Sequence, residues 1–450
     1  MNTRILSKSV VFAAICCSFI VARGQDSSSK WPDGTMMDDW FLADEAVELD
    51  GKLYEITNYG IYPNEGEVRT HEIQNLIDRV ASEGGGTIVV TPGTFITGAI
   101  FFRPGVNLHL MPGAMLLGSD DLADYPVIET RIEGQTCLYF PAIVNADRCD
   151  GFTISGAGTI DGNGFKAWKA FWLRRKWNRA CTNKDEQRPR VLYVSNSKSV
   201  RIDGVNFQNS MFWTTHFYKC DLLKITNCRF YALHKPDDKK GPSTDGIDLD
   251  ACCDVVVRNI WISNNDDGIA IKGGKGAFAN DFQRHPGNGN NEHILIENYI
   301  ASRGTHSALT LGSECVNADN IVFRNSRVEG CANLLNLKMR TDTPQQYTNV
   351  LVENVNGWTS ASFLLCYPWT QFADLEGRTK VDVKSHARNV TMRNCDVTCQ
   401  TFFRTNGDLN VMELKDFTFE NLKVKANDPS RHINLFHGVN FENCELSKKK

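Results

Sequence analysis

The chain has 450 residues, 42% hydrophobic and 23% charged, with a formal net charge of −4. That is enough apolar material for a large core. The basic run Lys448 to Lys450 is too short to form a nucleic-acid-binding face, so nucleic acid is excluded as a partner.

Met1 to Gly24 reads as a signal peptide. Arg4 and Lys8 precede an apolar run, Val10 to Ala22, that is too short to span a bilayer. The expected division is a signal peptide at 1–24, an N-terminal extension at 25–58 and one main domain at 59–450. This describes a secreted or periplasmic monomer with no membrane span after cleavage. Cleavage leaves thirteen of the fifteen cysteines, none in metal-site CxxC spacing. Cys220, Cys228, Cys331, Cys395 and Cys444 fall inside repeat units, where a small core residue fits.

A short helix is predicted near the start, because Ile73, Leu76, Ile77 and Val80 recur at helical spacing and Gly84-Gly85-Gly86 ends them. The period then changes to two. Thr87 to Val90, Ile100 to Phe102 and Val106 to Leu110 read as short strands between Gly and Pro turns. Trp168, Trp172 and Trp177, with Arg174, Arg175 and Lys176, suggest an aromatic platform for a ligand or a basic rim. Trp213 and His216 suggest packing, and Trp358 and Trp369 suggest stacking on rings.

One phrase then returns: Asp254 to Asn259, His293 to Asn298, Asn320 to Asn325, Asn349 to Asn354, Asn389 to Asn394 and Asp416 to Asn421. Each is an apolar strand closed by Asn, and the closing Asn residues are 27 to 40 apart. A second apolar strand follows in most units, as at Ile269 to Ile271, Leu309 to Leu311 and Leu335 to Leu337. So short a unit cannot bury its own apolar face, whereas stacked units share one core. The expected fold is all-β, a single-stranded right-handed parallel β-helix with a short N-terminal capping helix. Its coils are expected about 4.8 Å apart, and an Asn at a fixed turn suits left-handed backbone and side-chain ladders.

Strand parity assigns the outer face. With Ile269, Ile271, Leu309, Leu311, Leu335 and Leu337 inward, Lys272, His306, Asn336, Lys338 and Arg340 point out. Lys272 and Lys338 fall at equivalent places, as do Asp266 and His306. Asp245-Gly246-Ile247 and Asp267-Gly268-Ile269 repeat one phrase, in which strict parity would bury the acids. Glycine permits a turn that re-aims them outward. Asp245 and Asp267 then stack one coil apart, with Asp266 beside them and His306 near. Three such acids suit glycosidic cleavage, which needs a protonated carboxyl for the leaving oxygen and a carboxylate for water. Crowded negative charge keeps the acid protonated.

These residues resemble glycoside hydrolase family 28, the polygalacturonases and their relatives. The likeness rests on Gly84 to Thr87, Pro92 to Phe95, Gly156 to Gly164, Ser243-Thr244-Asp245-Gly246, Asn265-Asp266-Asp267-Gly268, Thr305-His306-Ser307 and Asn336-Leu337-Lys338. It runs from about Tyr59 to the C-terminus. The resemblance implies hydrolysis of a galacturonate-containing pectic polysaccharide with inversion and without metal or other cofactor. It implies Asp266 as general acid, Asp245 and Asp267 positioning and deprotonating water, His306 supporting the acid, and Lys338 pairing with a uronate carboxylate. Parity adds Lys272 to the substrate-binding set. Asn336 stands where the family has Arg, and Arg340 is the expected replacement. Those departures leave room for rhamnogalacturonan. The loop Gly273 to Asn291 is expected to close one end of a groove and so favour exo-action. A β-eliminating lyase and a non-catalytic glycan-binding solenoid are the alternatives on the same fold.

Overall fold

The computed structural model describes residues 29–44, 46–49, 51–232, 240–370, 373–377, 383–405 and 408–449. The expected signal peptide lies outside them. Among the described residues, every strand but one pair joins a single parallel ladder, the right-handed parallel β-helix. Leu53–Glu55 already pairs with Gly86–Val90 at its start.

The repeated strands stack in register. Val257, Ile296, Phe323, Val352, Met392 and Phe419 occupy one inward position on successive coils and are fully buried or nearly so. The closing residues Asn259, Asn298, Asn325, Asn354, Asn394 and Asn421 all have φ between 51° and 58°. Asn carries a short polar side chain that tolerates this left-handed backbone and bonds locally. Asn298 Nδ2 donates to Asn259 Oδ1 at 3.2 Å, and Asn354 Nδ2 to Asn325 Oδ1 at 2.9 Å. Asn325→Ala should therefore lower stability by about 1–2 kcal/mol in urea denaturation, through left-handed strain plus a lost ladder bond. Asn325→Gly, which relieves only the strain, should recover part of the loss; equal losses would show that the backbone conformation is not the cause.

Three α-helices are present among the described residues: α1 (Asp39–Leu42), α2 (Thr70–Ser82) and α3 (Phe165–Trp177). Helix α2 is the expected cap, and it buries Ile73, Leu76, Ile77 and Val80. Its Gln74 satisfies the first open rung, accepting from Phe101 N at 2.7 Å and donating to Phe101 O at 2.9 Å. Helix α3 and the antiparallel hairpin Ile128–Ile132/Gln135–Tyr139 were not expected from the sequence.

The thirteen cysteines in the described residues are all free, and ten are buried. Ahead of the coil, Trp31, Met37 and Phe41 cover an outer apolar row, Val256, Leu295, Val322 and Leu351. No helix of the described residues is long and apolar enough to cross a membrane.

Candidate active site

The short strands Ile247–Asp250, Ile269–Lys272, Ser307–Leu311 and Asn333–Met339 stack with Ile247, Ile269, Leu309 and Leu335 in register. That register puts Asp245 over Asp267, Asp266 level with His306, and Lys272 level with Lys338, as parity required. The turns ahead of these strands stack too. Gly246 N donates to Asp267 O at 3.0 Å, and Gly268 N to Ser307 O at 2.8 Å. Asn264 Nδ2 ties both acid-bearing turns together, donating to Thr244 O at 2.9 Å and Asp267 O at 2.6 Å.

The glycines act differently from the expectation. Neither Gly246 nor Gly268 has a left-handed φ. A Cβ on Gly268 would lie 2.1 Å from Tyr299 Oη, and one on Gly246 would lie 2.7 Å from Gly268 O. Lack of room requires glycine here. The acids avoid the core because they lie in the turns, before the strand alternation begins.

Asp245, Asp266 and Asp267 place one oxygen each within 4.8 Å of one another. Both Asp267 oxygens are engaged: Lys338 Nζ donates to Oδ2 at 2.6 Å, and His306 Nδ1 lies 3.0 Å from Oδ1. Burial would raise Asp267, but the Lys338 charge and the His306 hydrogen bond hold it far below the usual carboxylate range. Asp266 moves the opposite way, raised by burial and then by the Asp267 charge. Asp245 is raised well above its ordinary value by burial and the Asp248 and Asp266 charges. Burial works to lower His306, yet its bond to Asp267 outweighs this and raises it. The site thus holds one acid firmly ionised beside two that favour the proton.

Lys272 belongs to this cluster. Its Nζ lies 3.6 Å from Asp245, 3.2 Å from Asp248 and 4.5 Å from the Trp213 ring centroid. Asp248 was missed as a site residue. It lies on the outer parity between Ile247 and Leu249, which is the signal that could have revealed it. Burial pushes its carboxyl up to about 7. Three clustered carboxylates have the donor set for a divalent cation, but here Lys338 and Lys272 already supply their positive charge.

A cavity of about 370 Å³ opens over the acids. Phe171, Trp172 and Arg175 of α3 form one wall, with Lys240 to Ser243; Trp213, Trp369 and Lys338 also line it. Glu133 at the hairpin tip and Glu314 complete the lining and were not anticipated as site residues. Asn183 Nδ2 links the hairpin to the opposite wall, donating to Glu133 Oε1 at 2.7 Å and Ser243 Oγ at 3.4 Å. Of the expected platform, Trp172 lines the cavity, whereas Trp168 is buried and Trp177 is 85% exposed. Trp358 does not line it and packs on Arg303 instead.

Two expectations are corrected. Arg340 does not face the cavity: it is fully buried, donating to both Asp342 oxygens at 2.7 Å and lying 3.4 Å from Glu314 Oε1. The strand ends at Met339, so the outward alternation does not extend to Arg340. It holds Glu314, which is kept down at about 2: burial opposes this, but Lys272, Arg340 and Lys275 outweigh it. Asn336 keeps its outer parity but is covered by the coil before it, donating to Ser307 Oγ at 3.3 Å. It is no part of the cavity wall.

The family description "Glycosyl hydrolases family 28" matches residues 129–444. A probable polygalacturonase of Vitis vinifera is 25% identical over 56% of this chain and 50% of its own length. An exo-poly-alpha-D-galacturonosidase of Dickeya chrysanthemi is 32% identical over 40% of this chain and 29% of its own length. The chain therefore spans half or less of these two curated relatives. The exopolygalacturonase structure from Thermotoga maritima superposes with a TM-score of 0.70 at 20% identity, covering 86% of this chain and 90% of that one. The polygalacturonase of Erwinia carotovora ssp. carotovora gives 0.63 at 18% identity, covering 91% and 99%. At such identities these likenesses establish the fold.

Proposed function

The chain belongs to glycosyl hydrolases family 28, and on that footing we propose that it hydrolyses α-linked galacturonate in a pectic polysaccharide, with Asp266 as the acid. The observation that carries the reading is the unequal trio of acids under one cavity. Burial and the Asp267 charge let Asp266 hold its proton to a higher pH than a free carboxyl, which suits it to protonate the leaving oxygen. Asp267 stays ionised and takes the proton of the attacking water, which Asp245 helps to orient. Lys338 screens Asp267 and meets the sugar carboxylate at the cut. Lys272 holds Asp245.

Inversion is part of the proposal. Separation alone is closer to the roughly 5 Å of retaining pairs than to the roughly 6.5–9.5 Å of inverting ones. Covalent attack, however, needs an oxygen that is free, and both Asp267 oxygens are engaged. Such a carboxylate polarises water better than it attacks carbon. The Asn183 bridge walls one side of the cavity, which suits cutting at a chain end. Export from the cytoplasm completes the reading, because the polymer lies outside the cell.

Proton NMR of the first product from polygalacturonate should show the β-anomer; an initial α-anomer would overturn inversion. Chromatography should show one short product from the first time point, whereas a ladder of oligomers would overturn end-wise cutting. An ultraviolet-absorbing product lost on adding a chelator would establish the lyase alternative.

A further inference from the structure

Helix α3 stands outside the coil, and its composition is unlike that of the rest of the chain. From Phe165 to Lys184 the sequence carries seven lysines and arginines and no acid, in a chain of net charge −4. Solvated surfaces ordinarily mix both signs and expose few large apolar groups. Here Trp177 is 85% and Leu173 58% exposed beside those cations. The helix dipole favours Arg174, Arg175 and Lys176 in the last turn. It accounts for neither Lys169, in the middle of the helix, nor the bare indole.

Some of these charges have structural partners. Lys166 Nζ lies 3.5 Å from Asp120 Oδ1, Arg174 Nη1 lies 3.6 Å from Glu186 Oε2, and Arg175 Nε donates to Cys181 O at 3.0 Å. Lys169 and Lys176 are exposed and make no ion pair among the described residues. Helical spacing decides where they stand. Lys169, Leu173, Lys176 and Trp177 recur at i, i+4, i+7 and i+8 and form one exposed stripe. Lys169 precedes Trp172 by three and Lys176 follows it by four, so both neighbour Trp172 on the helix surface. Trp172 itself lines the catalytic cavity, and its Nε1 donates to Lys240 O at 2.7 Å. The stripe therefore adjoins the cavity.

We propose that the exposed stripe of α3, formed by Lys169, Leu173, Lys176 and Trp177, is a capture surface for a polyanionic glycan outside the catalytic cavity. It steers and holds the polymer and takes no part in cleavage. Free ammonium groups beside an exposed indole match a uronate chain, which offers a carboxylate on every ring and an apolar ring face. A lipid surface is a poorer match, because the stripe holds only two apolar residues among cations and has no apolar face to bury. The proposal rests on the galacturonan reading above for its ligand.

The test uses the full chain with digalacturonate and polygalacturonate. Lys169→Gln with Lys176→Gln should raise KM on the polymer about fivefold at low salt, with kcat and the digalacturonate kinetics unchanged. In about 1 M salt, where charges are screened beyond about 3 Å, variant and wild type should share one polymer KM. Lys169→Arg with Lys176→Arg should behave as wild type. Equal losses on dimer and polymer would overturn the surface, as would an unmoved polymer KM. A loss that high salt does not remove would mark a structural role and overturn it too. A second arm separates this from the catalytic reading. In an Asp266→Asn background, calorimetric titration with polygalacturonate should show the double Gln substitution weakening binding about fivefold. If the wild type cleaves no galacturonan but this binding difference persists, the hydrolase reading fails and the capture surface stands. Cosedimentation with phosphatidylglycerol vesicles that the double substitution abolishes, with polygalacturonate binding unaltered, would assign the stripe to a membrane and overturn the proposal.

Discussion

Asp266→Asn is expected to lower kcat on polygalacturonate about 10³-fold while leaving the fold intact, within the range found for loss of a general acid. The replacement is isosteric, and its side-chain oxygen can still accept the bond from Asp267 N, which is 3.0 Å long. What disappears is the proton for the leaving oxygen. Because Asp266 is raised above its ordinary value, the wild type holds that proton to a higher pH than a free carboxyl would. Activity should fall as pH rises through this raised value, and the variant's residual rate should lose that alkaline limb. Asp267, held far down, should contribute no limb in the working range. Burial and neighbouring charge raise both Asp245 and Asp266, so the observed limbs describe the set rather than single residues. A variant retaining more than about a tenth of wild-type kcat would remove Asp266 as the acid.

Lys338→Met should damage both kcat and stability. A lysine that only gripped a substrate carboxylate would show its loss in KM. Here Nζ lies 2.6 Å from Asp267 Oδ2, and Asp267 is buried. Removing one member of a buried pair leaves the other uncompensated, at about 3 kcal/mol. Asp267 would then climb from its depressed position, and the firmly ionised member of the trio would be lost. A fall in kcat of about 10²-fold is expected, together with a raised KM. The pH dependence of stability checks the cause. A carboxyl depressed in the folded state stabilises above its unfolded value, about 3.9, and loses that contribution as pH falls through the folded value. The gap in Tm between wild type and Lys338→Met should therefore be widest near neutrality and narrow below about pH 4. A gap independent of pH would mean that the lysine acts through packing. A change confined to KM would return Lys338 to a purely substrate-binding role.

Much of this protein was legible in its sequence because a solenoid repeats one local rule. The recurring Asn, the two-residue alternation and the apolar pairs Ile269/Ile271, Leu309/Leu311 and Leu335/Leu337 specify the register, and register alone sets Asp245 over Asp267 and Lys272 level with Lys338. Helix α2 was visible for the same reason, since its four buried residues keep a strict period. Helix α3 was not, because its aromatic and basic residues surround it with no clean apolar stripe. The hairpin carrying Glu133 hid in a stretch with few turn signals.

Tertiary structure alone decided what each outer residue does. Arg340 and Lys338 sit two apart on what looks like one face, but the strand ends between them, so one guanidinium is buried against Asp342 and the other cation meets Asp267. Asn336 keeps the predicted face and is covered by the coil before it. Glu133, Asn183 and Glu314 meet at the cavity from segments far apart in the chain, with no period to announce them. Local pattern determines where a strand residue points, because the pleat alternates whatever the neighbours are. What covers it, and with which charge it pairs, depends on segments that only folding brings close.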